Sequence, residues 1–327
     1  MTPLPSNSSI LVTGAAGFLG SHLSESLVHA GHRVVGLDSF DNFYDRAIKE
    51  QNLSQLRAAS TFSLVEGDIR DGATLDSLPS DVTLVVHLAA KAGVRPSIED
   101  PQLYSSVNVD GTWRLLDWTR QRGIPHFVFA SSSSVYGNCD VAPFREDLVV
   151  DRPISPYAAT KLAGELACHT YHHLHDLSVL ALRFFTIYGP RQRPDLAIHK
   201  FARLMRAGRS IPMFGDGSTE RDYTYIDDIL QGILASIDLL RRSEPLFEIV
   251  NLGESRTVSL HEMIQVLGEE MGVEPAVDQK PMQPGDVERT YADVSKARAL
   301  LAYEPSVEFR DGVRMFLEWF DDPERSG

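Results

Sequence analysis

The chain has 327 residues, 43% of them hydrophobic, which is enough to bury the core of one large α/β domain or of two lobes. Its formal net charge of -14 argues against non-specific binding to nucleic acid or to an anionic membrane. Two cysteines, Cys139 and Cys168, stand outside any Cys-x-x-Cys pair, which argues against a disulfide framework or a structural zinc and fits a reducing cytoplasm.

Met1 to Ser9 is short and polar, without the basic and apolar regions of a signal peptide, and no later apolar run nears the ~20 residues of a spanning helix. A soluble, cytoplasmic protein is the expectation. Ser9–Thr13 reads as a buried strand, and Phe18–Ala30 as a helix stopped by Gly31. Further strands are expected at Arg33–Asp38, Phe62–Asp68, Val82–Leu88, His126–Ser131 and Val179–Phe185. Helices are expected at Tyr104–Arg122 and Pro156–His173. The alternation predicts an α/β fold with a parallel sheet built from βαβ units. The second half is less regular: Ala197–Ala207 and Ser259–Met271 look helical, Ile211–Phe214 reads as a strand, and Gly215–Ser218 as a turn. No linker separates the halves, so the C-terminal lobe should be woven into the first by crossing segments.

Thr13 to Gly20 places Gly14, Gly17 and Gly20 between a strand and a helix, in a Gly-x-x-Gly-x-x-Gly pattern. Glycines there permit a tight turn, close approach to a pyrophosphate and close helix packing, while the helix N-terminus favours the negative charge. Asp38 ends the second strand roughly 20 residues on, where a carboxylate accepts from both ribose hydroxyls and repels a 2′-phosphate. That predicts NAD rather than NADP. Asp68 and Ile69, after the third strand, suit an adenine, and the small residues of Leu88-Ala89-Ala90 suit a backbone lying against the cofactor.

Tyr157 and Lys161 are four residues apart and therefore on one helix face. An ammonium beside a phenol favours the phenolate, so the tyrosine can serve as a base. A serine cluster, Ser131 to Ser134, precedes them; Ser131 and Ser133 read as strand-end hydroxyls bonded to backbone. Glycine turn, serines and Tyr-x-x-x-Lys, in that order, point to hydride chemistry on a hydroxyl group.

These residues, with Asn108, Val135-Tyr136-Gly137 and Arg183 to Arg193, resemble the extended short-chain dehydrogenase/reductase superfamily and within it the NAD-dependent sugar epimerase/dehydratase family. The resemblance covers nearly the whole chain. It implies a Rossmann-type doubly wound parallel sheet with a smaller C-terminal substrate-binding α/β domain. The expected division is residues 1–182 for NAD, with roughly 219–252 crossing back, and 183–327 mainly for a nucleotide sugar. It further implies a homodimer through the helices Tyr104–Arg122 and Pro156–His173. The cofactor contacts it implies include Ala16, Phe18, Leu19, Lys91 and Asn108 besides those above. Ser132 matches the catalytic serine that holds the reacting hydroxyl, Tyr157 takes its proton, and Lys161 bonds the nicotinamide ribose and lowers the tyrosine pKa.

Family members that dehydrate or decarboxylate carry extra acids just after the catalytic serine; here Ser133 and Ser134 stand there and are counted with the catalytic group. Oxidation to a 4-keto sugar, rotation and hydride return then remain, which is 4-epimerisation. The segments Arg183 to Asp195 and Ala90 to Ser97 look like those of nucleoside-diphosphate glucuronate 4-epimerases, in which Arg193 would meet the C6 carboxylate, with Thr186 beside it. Arg221 and Arg289, the latter in Asp286-Val287-Glu288-Arg289, match diphosphate positions, and Phe201 and Phe214 could flank a base or be plain core. Arg191 and Arg193 also admit a bland reading as a solvated basic loop. UDP-glucuronate with UDP-galacturonate is thus the expected substrate pair, the neutral UDP-glucose/UDP-galactose pair the second reading, and a non-catalytic NAD-sensing protein a third. His169, His172 and His173 have metal-like spacing, but the chemistry needs no metal, and none is expected.

Overall fold

β1 (Ser9–Thr13) is apolar enough to be buried along its whole length, so both of its faces must be covered. A computed structural model describes residues 8–242, 244–282 and 287–322; Met1 to Asn7 and Asp286 lie outside the described residues. After β1 come α1 (Phe18–His29), β2 (Arg33–Asp38), α2 (Arg46–Asn52), β3 (Phe62–Glu66), α3 (Gly72–Asp76) and β4 (Val82–His87). The chain continues through α4 (Val94–Glu99), α5 (Pro101–Ser105), α6 (Gly111–Gln121), β5 (His126–Ser132), α7 (Pro156–His175) and β6 (Ser178–Phe184). Beyond it lie β7 (Thr186–Tyr188), α8 (Ala197–Arg206), β8 (Ile211–Phe214), β9 (Glu220–Arg221), β10 (Tyr223–Tyr225), α9 (Ile226–Leu240) and β11 (Phe247–Leu252). β12 (Val258–Ser259), α10 (Leu260–Met271), β13 (Val277–Lys280), α11 (Ser295–Leu301) and α12 (Phe309–Phe320) complete the order.

The central sheet is seven-stranded, in the order β11-β6-β5-β4-β1-β2-β3, and its pairs are parallel. Successive residues of a strand feed opposite layers: Ile10 and Val12 pack in one apolar cluster and Leu11 in the other, as do Leu84 and Val86 against Val85. This is the doubly wound Rossmann-type sheet. The strand order reverses between β1 and β4, and the crevice beyond that switch point is where such sheets bind ligands. β11 follows four strands and two helices that are outside the sheet or covering it, then returns to pair with β6 from Phe247↔Val179 to Leu252↔Phe184. The remaining strands form pairs of their own, including β8 with β13, beside α8, α10 and α12.

Two expectations are corrected. The helix expected over Tyr104–Arg122 begins at Pro101, capped by Asp100 accepting from Leu103 N, and is interrupted by a π turn over Ser106–Asp110. The second half is more regular than expected, because α9 and α12 each present an apolar stripe: Phe309, Val313, Phe316 and Leu317 are all buried.

Candidate active site

The β1–α1 turn is built for close approach. Gly14 has φ +73, and a Cβ there would sit 3.0 Å from Ala89 N; a Cβ on Gly20 would fall 2.0 Å from Gly14 O. α1 starts at Gly17 with no side-chain cap, so its first amides have no side-chain acceptor and remain suited to an anion. Gly14, Gly17, Phe18, Leu19 and Gly20 line a cavity of about 410 Å³, joined by Leu88, Ala89, Ala90 and Lys91 from the β4 end. Ala16 does not line it; its amide donates instead to Asp38 Oδ2 at 2.9 Å. Beneath the cavity, His87 bridges Thr13 Oγ1 (2.8 Å) and Thr112 Oγ1 (3.0 Å), and burial holds its pKa down at about 3, so the bridge is neutral.

Asp38 ends β2 at the cavity wall, 8% exposed, with Oδ1 accepting from Phe40 N at 2.8 Å. Burial pushes its pKa up, against those two amides and Lys49. Lys49 itself is buried, donates to Asp41 O and lies 4.8 Å over the Tyr44 ring. Asp41, Phe43, Tyr44 and Lys49 all line the cavity and were not anticipated. Lys49 was legible as a cation eleven residues after Asp38, but nothing local indicated that α2 would turn it inward. Asp68 and Ile69 also line it, yet Asp68 is engaged by Arg70, through Nη2 at 2.7 Å and the amide at 2.8 Å, so it is less available to an adenine than expected. Asn108 departs from its expected cofactor contact. Its amide clamps Lys91 N (2.8 Å) and O (2.9 Å) and Thr160 Oγ1 (3.0 Å), which holds the strand-end segment from beneath.

Tyr157 and Lys161 share the buried face of α7. Ser155 caps this helix by accepting from Ala158 N, Pro156 occupies its first turn, and Ser97 Oγ accepts from Tyr157 N at 3.1 Å. Gly164 lets the helix lie on β5: a Cβ there would meet Phe129 Cζ at 2.2 Å. Ser132, at the end of β5, lines the same cavity as Tyr157, and its hydroxyl acts to lower the phenol's pKa. Burial nevertheless outweighs that hydroxyl and the nearby Arg193 charge and holds the phenol above its ordinary pKa, a correction to the expected lowering by Lys161. Lys161 is itself pulled down to about 8 by burial, opposed by Cys168 and Glu165. Its Nζ donates to Ala130 O at 2.6 Å and lies 5.9 Å from the Tyr157 ring centre.

The serines divide. Ser132 Oγ meets Ser134 Oγ at 3.1 Å, but Ser133 and Ser134 are not in the cavity wall. Ser131 does not bond backbone, as expected, but donates to Glu165 at 2.5 Å. Glu165 also takes Nε and Nη2 of Arg183, each at 2.8 Å, in a pair 3% and 2% exposed. This buried network lies directly behind Ser132 and Lys161.

The break between β6 and β7 aims Phe185, Thr186 and Ile187 at the same cavity, and Arg193 enters it from the following loop. Arg193 pairs with Asp195 through Nε (2.9 Å) and Nη2 (2.8 Å) and lies 5.1 Å over the Phe43 ring. Its Nη1 edge is left for a further acceptor. Arg221, Arg289 and Phe214 do not line this cavity. Arg289 pairs with Glu220 and borders a second cleft with Asp216 and Glu288, Arg221 donates to Glu220 O, and Phe214 carries the Arg95 guanidinium at 4.8 Å. Phe201 is plain core. His172 Nδ1 bonds Leu177 O and His169 packs edge-on against Phe247.

A model of the NAD dependent epimerase/dehydratase family matches residues 10–253. The UDP-glucuronate 4-epimerase of Thermodesulfobacterium geofontis is 39% identical over 94% of this chain and 95% of its own. The crystal structure of UDP-glucuronic acid 4-epimerase from Bacillus cereus, in complex with UDP-glucuronic acid and NAD, superposes with a TM-score of 0.90 at 38% identity, over 95% of this chain and 98% of that one. The dTDP-glucose 4,6-dehydratase of Streptomyces venezuelae superposes nearly as well, with a TM-score of 0.89 at 30% identity over 97% and 98% of the chains, so the fold alone does not select the reaction. With a match across most of its length and relatives of this similarity, the chain belongs to the NAD dependent epimerase/dehydratase family.

Proposed function

We propose that this protein is an NAD-dependent 4-epimerase that interconverts UDP-glucuronate and UDP-galacturonate. The observation that carries the reading is that Arg193 enters the same cavity as Ser132, Tyr157 and buried Lys161. NAD supplies a hydride acceptor that returns the hydride to the other face of a 4-keto sugar. The uncapped start of α1 and the glycine turn would hold its pyrophosphate, and Asp38 and Lys49 its adenosine ribose. Ser132 would hold the reacting hydroxyl while Tyr157 takes its proton. Lys161 supplies a cation against the developing phenolate, and the positive charge of the oxidised cofactor would add to it, offsetting the burial that raises Tyr157. Ser133 and Ser134 would act through Ser132 rather than on the sugar. Arg193, with Thr186, would take the C6 carboxylate on its Nη1 edge and hold it in the plane of the C4 carbonyl, an orientation that resists loss of carbon dioxide from the keto acid. Arg289 would serve the UDP moiety from the second cleft, with Arg221 and Phe214 contributing from beside it.

A second reading, the UDP-glucose/UDP-galactose 4-epimerase, draws support from Asp195, whose carboxylate already occupies one edge of Arg193. The two are separated by incubating purified protein with UDP-glucuronate or UDP-glucose, without added acceptor, and following products by proton NMR. A steady glucuronate–galacturonate mixture with neutral sugar untouched supports the first. Turnover of UDP-glucose alone overturns it, and appreciable pentose release refutes the protective role of Arg193.

Residues 1–182 with the returning 219–252 segment would form the NAD domain, and 183–327 mainly the sugar-nucleotide domain. A homodimer through α6 and α7 is supported by Trp113, Leu166 and Leu174, which are exposed there, with the Trp113 ring tilted against Tyr171 at 5.8 Å. No helix among the described residues is long and apolar enough to cross a membrane. Free Cys139 and buried Cys168 agree with a cytoplasmic setting.

A further inference from the structure

The loop that presents Arg193 is tied to the cofactor helix. Arg191 has φ +63, a left-handed conformation that is strained for a non-glycine residue and persists only where its surroundings over-determine it. The surroundings are α1. Arg191 Nη2 lies 2.9 Å from both carboxylate oxygens of Glu25, and Nη1 lies 3.3 Å from Ser21 Oγ. His22, one turn before Glu25, donates from Nε2 to Pro190 O at 2.9 Å. From α8, His199 Nδ1 donates to Gln192 O at 2.6 Å. Pro190, Arg191 and Gln192 are therefore pinned one after another, and Arg193 is the next residue. The Arg191–Glu25 side chains are 12% and 15% exposed, dry enough for a charge-assisted pair to hold its geometry, and neither residue lines the cavity.

We propose that Glu25, acting through Arg191, is a positioning residue for Arg193, so that preference for a uronate over a neutral hexose depends on a residue of α1 that touches neither ligand. The proposal rests on the reading of Arg193 given above. Without the carboxylate, the Arg191 guanidinium keeps only its 3.3 Å contact to Ser21 Oγ, too weak to offset the left-handed strain between its pinned neighbours. Its relaxation to negative φ re-aims the following peptide and turns the Arg193 guanidinium off the cavity. The glycine turn at the other end of α1 stays in place, so cofactor retention is unaffected.

The test uses NAD-loaded Glu25→Gln and calorimetric titration with UDP-glucuronate, UDP-glucose and UDP. The expected result is a loss of about tenfold in affinity for UDP-glucuronate, with UDP and UDP-glucose within twofold of wild type and NAD content unchanged. Arg191→Gly serves as the second variant, because glycine adopts positive φ without strain; if strain relief is the cause, it retains more uronate preference than Arg191→Ala. If Glu25→Gln does not fold, the glycine–alanine comparison decides. Equal weakening for all three ligands, or none for UDP-glucuronate, overturns the latch. A wild type with no preference for UDP-glucuronate over UDP-glucose overturns the Arg193 reading itself, and is thereby distinguished from failure of the latch alone.

Discussion

The Glu165–Arg183 pair permits a quantitative experiment. Arg183→Met removes the cation and leaves the Glu165 carboxylate buried with Ser131 as its donor and Lys161 as a cation within electrostatic reach. Breaking such a pair by deleting one partner costs about 3–5 kcal/mol, because the surviving charge is uncompensated. With an unfolding entropy of roughly 2.1 cal/mol/K per residue, that translates over 327 residues into a fall in Tm of about 4–7 °C. Removing both ions in Glu165→Leu/Arg183→Met takes away the desolvation problem along with the attraction, and buried pairs replaced by apolar residues are often nearly neutral. The double variant is therefore expected to be more stable than Arg183→Met, within about 1–2 kcal/mol of wild type once the lost Ser131 bond is counted. Calorimetry on the four proteins closes the cycle. If the double variant is destabilised by the sum of the two single changes, the pair is not coupled and the argument fails. A second reading of the same variants is kinetic: in Arg183→Met, Glu165 is freed to act on Lys161, which raises the lysine pKa and moves the alkaline limb of activity upward.

Three further outcomes follow from the site. Tyr157→Phe is expected to retain NAD and bind UDP-glucuronate while losing about 10²–10⁴-fold in turnover; turnover within threefold of wild type would remove Tyr157 as the base. Lys161, held down at about 8 by burial, loses its charge as pH rises through that value, so the rate should fall above about pH 8, and a profile flat to pH 10 would show that the cation is not required. Gly164→Ala drives a methyl into the Phe129 ring, and overpacking of this kind costs about 1–3 kcal/mol; because α7 must lift from β5, turnover should drop together with Tm, and a stable, fully active variant would contradict the close approach.

Local information determined most of the strand-and-helix alternation in the first half. Each strand is a short apolar run, each helix carries its own start or stop signal, and the glycine turn announces its backbone conformation through residue type alone. Tyr157 and Lys161 were legible for the same reason: a four-residue spacing on a helix is a local geometric fact. Tertiary structure decided what local sequence cannot encode. Asn108 was expected at the cofactor only through the family resemblance; it lies in a π turn, and its amide binds the Lys91 backbone. Ser131, one residue from Ser132, lines the same cavity, yet its hydroxyl is taken by Glu165, two turns beyond Tyr157 on α7, a contact that only the packing of α7 on β5 creates. Arg221, Arg289 and Arg193 are alike as residues; the fold sends the first two toward Glu220 and only the third into the cavity with Tyr157. The sign of the Tyr157 shift was likewise a tertiary matter. Spacing supplies the lysine, but the depth of burial is set by β5, α7 and the loops that close over them, and burial is the larger effect.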